Sequence, residues 1–527
     1  MTLKTLIKPG VYYDSVTLMR VARELQAVPG IEDAAVWMGT EANKGILAVA
    51  GLLSPKARAA SAADLIVCVK AADNAAATVA LDRVEDLLTQ TRTARAPDEE
   101  YHPRTLVRAL EAMPGANLAV ISVAGQYAAR EARQALERGL HVLLFSDNVP
   151  LEDEIALKSY ARQRGLLLMG PDAGTALVNG VALGFANAVP RGNIGLVAAS
   201  GTGLQGVTSL IAREGGGVSQ GIGVGGRDLG AEVGGTMMLA GLEMLQADPE
   251  TAVIVLISKP PDPSVSGRVL ARVRASDKPA VVCFLGSDAS AIRKAGAIPA
   301  ATLEEAALLA LALARGQDLT ETVARLVGRD KELMPHAVVA QVALRPGQRY
   351  VRGLFSGGTF CHEAMLVLRD AIGLVNSNVP LDEACRLSDP NRSAGHTCVD
   401  LGADEFTQGR LHPMLDPDLR NRRIVQEARD PETALILLDV VLGYGVHPDP
   451  AGAAAEAILR ARAVAAAEGR QVVVVASVCG TEGDPQSLTA QEASLREAGV
   501  LVVGSNAAAA GLGGMIAKLA DGEVADG

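Results

Sequence analysis

The sequence predicts a multidomain α/β protein built on parallel sheets, and three observations carry that expectation. At 527 residues the chain is too long for a single hydrophobic core. Apolar runs of strand length, such as "TAVIVLIS" at 251–258 and "QVVVVASV" at 471–478, alternate with helical stretches in the manner of βαβ units. Aromatic residues make up only 3% while Gly reaches 55, which suits Val/Ile/Leu/Ala layers joined by tight turns.

The elements follow in order. Residues 1–100 alternate strand and helix signals, from "GVYYDS" through "VTLMRVARELQAV", "EDAAVWM" and "DLIVCVK" to "NAAATVALDRVEDLLTQ", and form a first α/β domain. The polar segment 89–104 reads as its linker. A second domain spans 105–190, with strands "NLAVISV" and "HVLLFSD" separated by a helix. A third covers 191–330 with strands at 193–199, 251–258 and 279–285. After a linker, "GRDKELMPHAVVAQVALRPGQR", a fourth covers 345–522. The last two are copies of one another: "DPETAVIVLI" begins at Asp248 and "DPETALILLD" at Asp430, each downstream of a Ser-Gly corner, with extra residues in the second copy.

The formal net charge of -11 and pI near 5.3 argue against nucleic acid or an anionic membrane surface as partner. No apolar run approaches the ~20 residues of a membrane span, and the N-terminus does not read as a signal peptide, so a cytoplasmic protein is expected. Six cysteines without C-x-x-C spacing predict reduced thiols and no metal site.

Function is sought at the repeated corner. "NIGLVAASGTGLQG" and "VRGLFSGGTFCHEA" each run from an apolar strand into small residues and then into a helix. Such a helix start exposes unpaired amides at the positive end of the dipole, a seat for phosphate. Ser200, Gly201, Thr202 and Gly203 form the first candidate site, and Ser356, Gly357, Gly358 and Thr359 the second. The plainer alternative is that the hydroxyls only cap the helices. Gly225, Gly226 and Arg227, beside Asp228 in "GIGVGGRDLG", add a glycine-dense turn with a charged pair. In the second copy, "GHTCVDLGADEFTQGRLHPMLDP" gathers His396, Asp400, Asp404, Glu405, Arg410, His412 and Asp416 in a polar loop of the kind that carries function.

Beyond residue 105 the chain resembles succinyl-CoA synthetase. "GPDAGTALVNG", "NIGLVAASGTGLQG", "DPETAVIVLISK" and "KPAVVCFLGSDASAIRKAGAI" are similar to its α subunit, and 350–522 to the ligase domain of its β subunit. The resemblance implies a truncated Rossmann-like CoA-binding-type domain at 105–190 and two duplicated flavodoxin-like ligase-type domains after it. The fuller pattern, with "SGGTFCHEA" and "DLGADEFTQGRLHPMLDP", resembles the FdrA proteins over nearly the whole chain. Where the ligase reads His-Ala-Gly-Ala-Ile this chain has Lys294-Ala295-Gly296-Ala297-Ile298, and neither the glycine fingerprint for CoA nor an ATP-grasp module has a counterpart. No cofactor is therefore expected, and an acyl phosphate replaces nucleotide and CoA as substrate. The FdrA resemblance implies an oxamate carbamoyltransferase subunit of allantoin breakdown, acting on a small anionic substrate with carbamoyl phosphate or phosphate. It also implies companion subunits in a hetero-oligomer, a homodimer, or both. On that reading Arg410 and Arg227 clamp an anion, His412 polarises the carbonyl or moves a proton, Asp404 orients His412, and Glu363 or Cys361 is a potential covalent carrier. Two alternatives stay open: an ADP-forming acyl-CoA synthetase, and a non-catalytic subunit that binds a phosphorylated metabolite.

Overall fold

The computed structural model describes residues 2–522 apart from positions 12, 14, 94–102, 104, 408 and 409, so most of the expected 89–104 linker falls outside it. The chain divides into two compact units, residues 1–102 with 404–412, and residues 103–403 with 413–527.

The first unit is built on a three-stranded antiparallel sheet whose middle strand is Leu65–Ala71, flanked by Thr2–Lys8 and Ile31–Met38. Because side chains alternate across a strand, Leu65, Val67 and Val69 meet Leu18, Val21 and Leu25 of helix Ser15–Gln26 on one face. Ile66 and Cys68 meet Leu47, Leu52 and Ala57 on the other. The first strand is Thr2–Lys8 rather than "GVYYDS", whose Tyr12 and Asp14 lie outside the described residues. Pro9 lacks an amide for the ladder and Gly10 turns the chain at φ +66°.

In the second unit, three short parallel strands, Leu118–Ile121, His141–Leu144 and Leu168–Met169, form a small sheet. A seven-stranded sheet follows, centred on strand Arg191–Ala198 between Val218–Gly223 and Val253–Ser258. The hairpin Thr175–Val178 and Val181–Gly184, inside the range expected for the 105–190 domain, pairs with this larger sheet. A six-stranded, all-parallel sheet is centred on Tyr350–Phe355 and Thr433–Val441. One apolar core runs through both larger sheets, from Leu196 and Ile257 to Phe360, Leu437 and Ile516. The α/β architecture with parallel sheets is thus present.

Residues 328–342 of the stretch read as a linker are instead the second half of helix Leu319–Val342. Leu333, Ala337 and Ala340 recur at helical spacing and are buried. The polar residues and Pro335 hid that periodicity.

Candidate functional site

Each central strand empties at its carboxyl end into a Ser-Gly corner, where open α/β sheets place ligands. At the first corner Ser200 is extended and caps helix Gly201–Arg213, its Oγ accepting from the Gly203 amide at 2.8 Å. A Cβ on residue 203 would lie 2.5 Å from that oxygen, so glycine is required there. Leu204 N–H reaches Ser200 O. Among the described residues the Gly201 and Thr202 amides have no acceptor.

The second corner comes to the same place. Ser200 Oγ and Thr359 Oγ1 are hydrogen-bonded at 2.5 Å, and a Cβ on Gly357 would lie 2.8 Å from Thr202 Cγ2. Two helix starts, Gly201–Arg213 and Gly358–Ile372, therefore open on one another. Both corners are largely buried, while Gly201, Thr202 and Gly358 keep partial exposure.

The second corner is already partly filled. Asp439 Oδ1 and Oδ2 accept from the Ser356 and Gly357 amides, both at 2.7 Å. Arg420 Nη1 donates to Ser356 Oγ at 2.8 Å and Asp439 O at 2.7 Å, and stands 3.5 Å from Asp439 Oδ1. Both side chains are buried; burial raises the Asp439 pKa against the opposing pull of Arg420 and the two amides, and lowers that of Arg420. The expectation that Ser356 and Gly357 bind phosphate is corrected: a carboxylate of the chain itself holds their amides. Gly358 and Thr359 remain, and among the described residues their amides make no hydrogen bond.

Around Gly358 stand Asp400, which the polar loop singled out, and Lys259 and His362, which sequence reasoning passed over. Lys259 Nζ lies 3.5 Å and Asp400 Oδ2 lies 2.5 Å from where its Cβ would be. Asp400 is buried and its Oδ1 accepts from Gly402 N at 2.9 Å. Lys259 is half-buried and, among the described residues, has no hydrogen-bond or ion-pair partner. An ammonium beside the positive end of a helix dipole is favoured by an anion close by. One turn into the helix, His362 has a buried, unpartnered Nε2, and burial first, then Lys259, holds its pKa down to about 4, so the ring is neutral.

Other expected site residues are engaged elsewhere. Glu363 accepts from Leu303 N and Asn506 Nδ2, both at 2.7 Å, joining two further helix starts to the second corner helix. Burial raises its pKa to about 7. Its catalytic assignment is corrected to a structural one, and Cys361 is a fully buried thiol whose pKa burial pushes well up. Arg227 pairs with Glu154 at 2.8 Å and donates to Val149 O. Asp228 pairs with buried Lys158 and caps helix Thr236–Ala247 through the Met237 and Met238 amides. Gly225 sits at φ +85° because a Cβ would meet Pro171 O at 2.4 Å, and Gly226 is exposed. This turn is a buried-ion clamp rather than an anion seat. Asp404, Arg410 and His412 belong to the 404–412 segment of the first unit. The constellation of the second unit is described without them. Burial holds the His412 pKa down to about 4. Lys294 is exposed on the last turn of helix Ala289–Lys294.

The signals for the missed residues were present but faint. Asp439 is the one charge inside the apolar strand "TALILLDVV", and Lys259 directly follows "VIVLIS".

Three family models match the chain: an AllF, heavy metal-associated domain over residues 1–103, a CoA binding domain over 190–286 and a CoA-ligase over 354–516. The described residues do not fit a metal, because no group of three His, Cys, Asp or Glu is placed to hold one, and Cys68 is buried in the sheet. The strand-to-helix turn at 121–125 lies outside the CoA-binding match; there Ser146 Oγ accepts from the Val123 amide, and a Cβ on Gly125 would lie 2.3 Å from Asp147 O. No described helix is long and apolar enough to cross a membrane. The α subunit of succinate–CoA ligase (ADP-forming) from Staphylococcus epidermidis is 27% identical over 151 residues, 28% of this chain and 48% of that one. The chain thus spans about half the length of that relative. The crystal structure of PH0766 from Pyrococcus horikoshii aligns with 81% of this chain and 89% of its own at 18% identity and a TM-score of 0.32. YahF of Escherichia coli, an uncharacterized protein, is 46% identical over 508 residues, 96% of this chain and 97% of its own length. The chain belongs to the family of YahF, and in this chain an AllF-type N-terminal domain precedes matches to a CoA binding domain and a CoA-ligase.

Proposed function

We propose that the chain is a carbamoyltransferase subunit of the FdrA type, interconverting oxalurate plus phosphate with oxamate plus carbamoyl phosphate. The observation that carries this reading is the meeting of two helix starts at Ser200 and Thr359, where among the described residues the Gly201, Thr202, Gly358 and Thr359 amides and Lys259 have no partner. The AllF-type domain and the resemblance to FdrA proteins support the choice of substrate.

In the forward direction a phosphate oxygen attacks the carbamoyl carbon of oxalurate, the carbon–nitrogen bond breaks, and the proton carried by hydrogen phosphate passes to the departing oxamate nitrogen. An amide nitrogen leaves poorly, so catalysis rests on holding the two anions together and stabilising charge. Phosphate sits on the Gly201 and Thr202 amides with Lys259 as counter-charge. The substrate carboxylate sits on the Gly358 and Thr359 amides. Neutral His362, on the same helix, is the group suited to pass a proton near the site. No step uses CoA, nucleotide or metal. The cytoplasmic setting, an anionic substrate and companion subunits belong to the same proposal.

A second reading, an ADP-forming acyl-CoA ligase, is favoured by the CoA-binding and CoA-ligase matches. It is opposed by Lys294 in place of the phosphoryl-carrying histidine. The deciding assay offers purified protein carbamoyl phosphate plus oxamate and, separately, ATP, CoA and succinate. Oxalurate and phosphate from the first mixture support the proposal, and ADP from the second with nothing from the first overturns it.

A further inference from the structure

Helix Leu319–Val342 is buried along one side by Leu333, Ala337 and Ala340. A second side, about 120° round the helix axis, is also apolar. Val323 is 46% exposed, Val327 63%, Met334 44%, Val338 45%, Val339 74% and Val342 75%. Isolated exposed apolar residues are ordinary on a soluble surface, but a contiguous patch marks a contact. Here Val323, Val327, Met334, Val338 and Val342 recur every four or seven residues, so they form one stripe along a helix about 36 Å long. A helix apolar on two separate sides is expected to be covered on both.

The order of the stripe says what covers it, because from Val323 to Val338 the pattern reads alike in both directions. An antiparallel copy of this helix, related by a two-fold axis between Asp330 and Lys331, sets Val323 level with Val338 of the second copy. It also sets Val327 level with Met334, while Val342 falls level with Leu319, which is half-buried against its own core. The two charged residues interrupting the stripe are of opposite sign, and the axis brings the Asp330 carboxylate of one copy level with the Lys331 ammonium of the other. Both are exposed. Self-complementarity of this kind is the requirement of an isologous two-fold contact, and the spacing is that of a short antiparallel helix seam.

We infer that the protein pairs with a second copy of itself through the outer face of helix Leu319–Val342, antiparallel, with the axis between Asp330 and Lys331. The inference is independent of the reaction, since no residue of the stripe lies at the paired corners.

Sedimentation velocity of the full chain tests it. The wild type is expected to run as a dimer, and the Val327→Glu, Val338→Glu double variant as a monomer with unchanged circular dichroism. Lys331→Asp alone is expected to weaken the dimer at least ~10-fold, and adding Asp330→Lys to restore it, because opposite charges again stand level. The register is read by cross-linking: a Val327→Cys, Met334→Cys variant forms an interchain disulfide and Val327→Cys alone does not. A wild type that is monomeric at ~50 μM, well above the Kd of a specific homodimer, overturns the inference. So does a dimer that survives the two glutamates, or one cross-linked by Val327→Cys alone, which signals a parallel pair.

Discussion

The first Ser-Gly corner and the second are written in nearly the same residues and furnished differently. Helices Thr236–Ala247 and Asp418–Arg429 are equal in length, and each is followed by Asp-Pro-Glu-Thr-Ala, so the two copies stay in register through the strand beyond. In that register Ile257 corresponds to Asp439 and Met238 to Arg420. Counting from Ser200 and Ser356, Val207 corresponds to Glu363. The first copy lines its corner with apolar side chains, and its leading amides stay unpaired. The second places a buried carboxylate on the equivalent turn and an arginine behind it. The same backbone turn is an open seat or a closed one according to a neighbouring strand.

The comparison can be broken at four points, in decreasing order of expected effect. Arg420→Met makes the second corner resemble the first on one side only and leaves Asp439 buried without its cation. It is expected to cost about 3–5 kcal/mol in denaturant unfolding. Arg420→Met with Asp439→Ile removes both charges and is expected to recover most of that loss. Equal losses in the two variants would show that the pair does not act as a unit.

Glu363, where the first copy has Val207, makes stability depend on pH. Its pKa rises from 4.5 toward about 7 on folding, so the native state holds the proton longer than the unfolded chain. The contribution is fully present below pH 4.5 and is lost as pH rises through 7. The neutral imidazoles His362 and His412 act in the opposite sense, their contribution being present above 6.5 and lost as pH falls toward 4. Their effect cancels when wild type is compared with Glu363→Gln. The stability difference between the two is expected to shift against wild type by about 3 kcal/mol from pH 4.5 to pH 8, and a flat difference would refute the assignment.

The corner glycines differ as well. A Cβ on Gly358 meets Asp400 Oδ2 at 2.5 Å, whereas a Cβ on Gly201 finds its nearest neighbour, Thr175 Oγ1, at 3.5 Å. Gly358→Ala is expected to lower kcat/KM for carbamoyl transfer ~100-fold, and Gly201→Ala less than ~3-fold. Reversal of that order would move the reacting centre to the first corner alone. The smallest effect is expected of Lys259→Met, which removes one counter-charge and raises KM for phosphate ~10-fold, about 1.4 kcal/mol. Added salt should narrow the gap between Lys259→Met and wild type by screening a half-exposed charge.

Much of the architecture was legible because it rests on local patterns. Strands such as Val253–Ser258 and Thr433–Val441 are continuous apolar runs, and the duplication announces itself in "DPETA". Both corners were found from small residues between a strand and a helix. The partners of those corners were not. Asp439 reads as a polar slip in a strand until the ladder with Tyr350–Phe355 brings it to Ser356. Glu363 reads as a first-turn acid until Leu303 and Asn506 arrive from distant segments. The polar loop after Gly395 drew attention through composition, yet its Asp404–His412 portion belongs to the other unit.

The sequence alone determined the α/β grammar, the internal copy and the two helix starts with exposed amides, because backbone hydrogen bonding and side-chain period act within a few residues. Only the tertiary structure decided that the starts meet at Ser200 and Thr359, that one is stoppered by Asp439, and that Lys259 stands beside Gly358. Those facts depend on contacts between residues far apart in the chain, where a charge is worth what its surroundings leave unsatisfied.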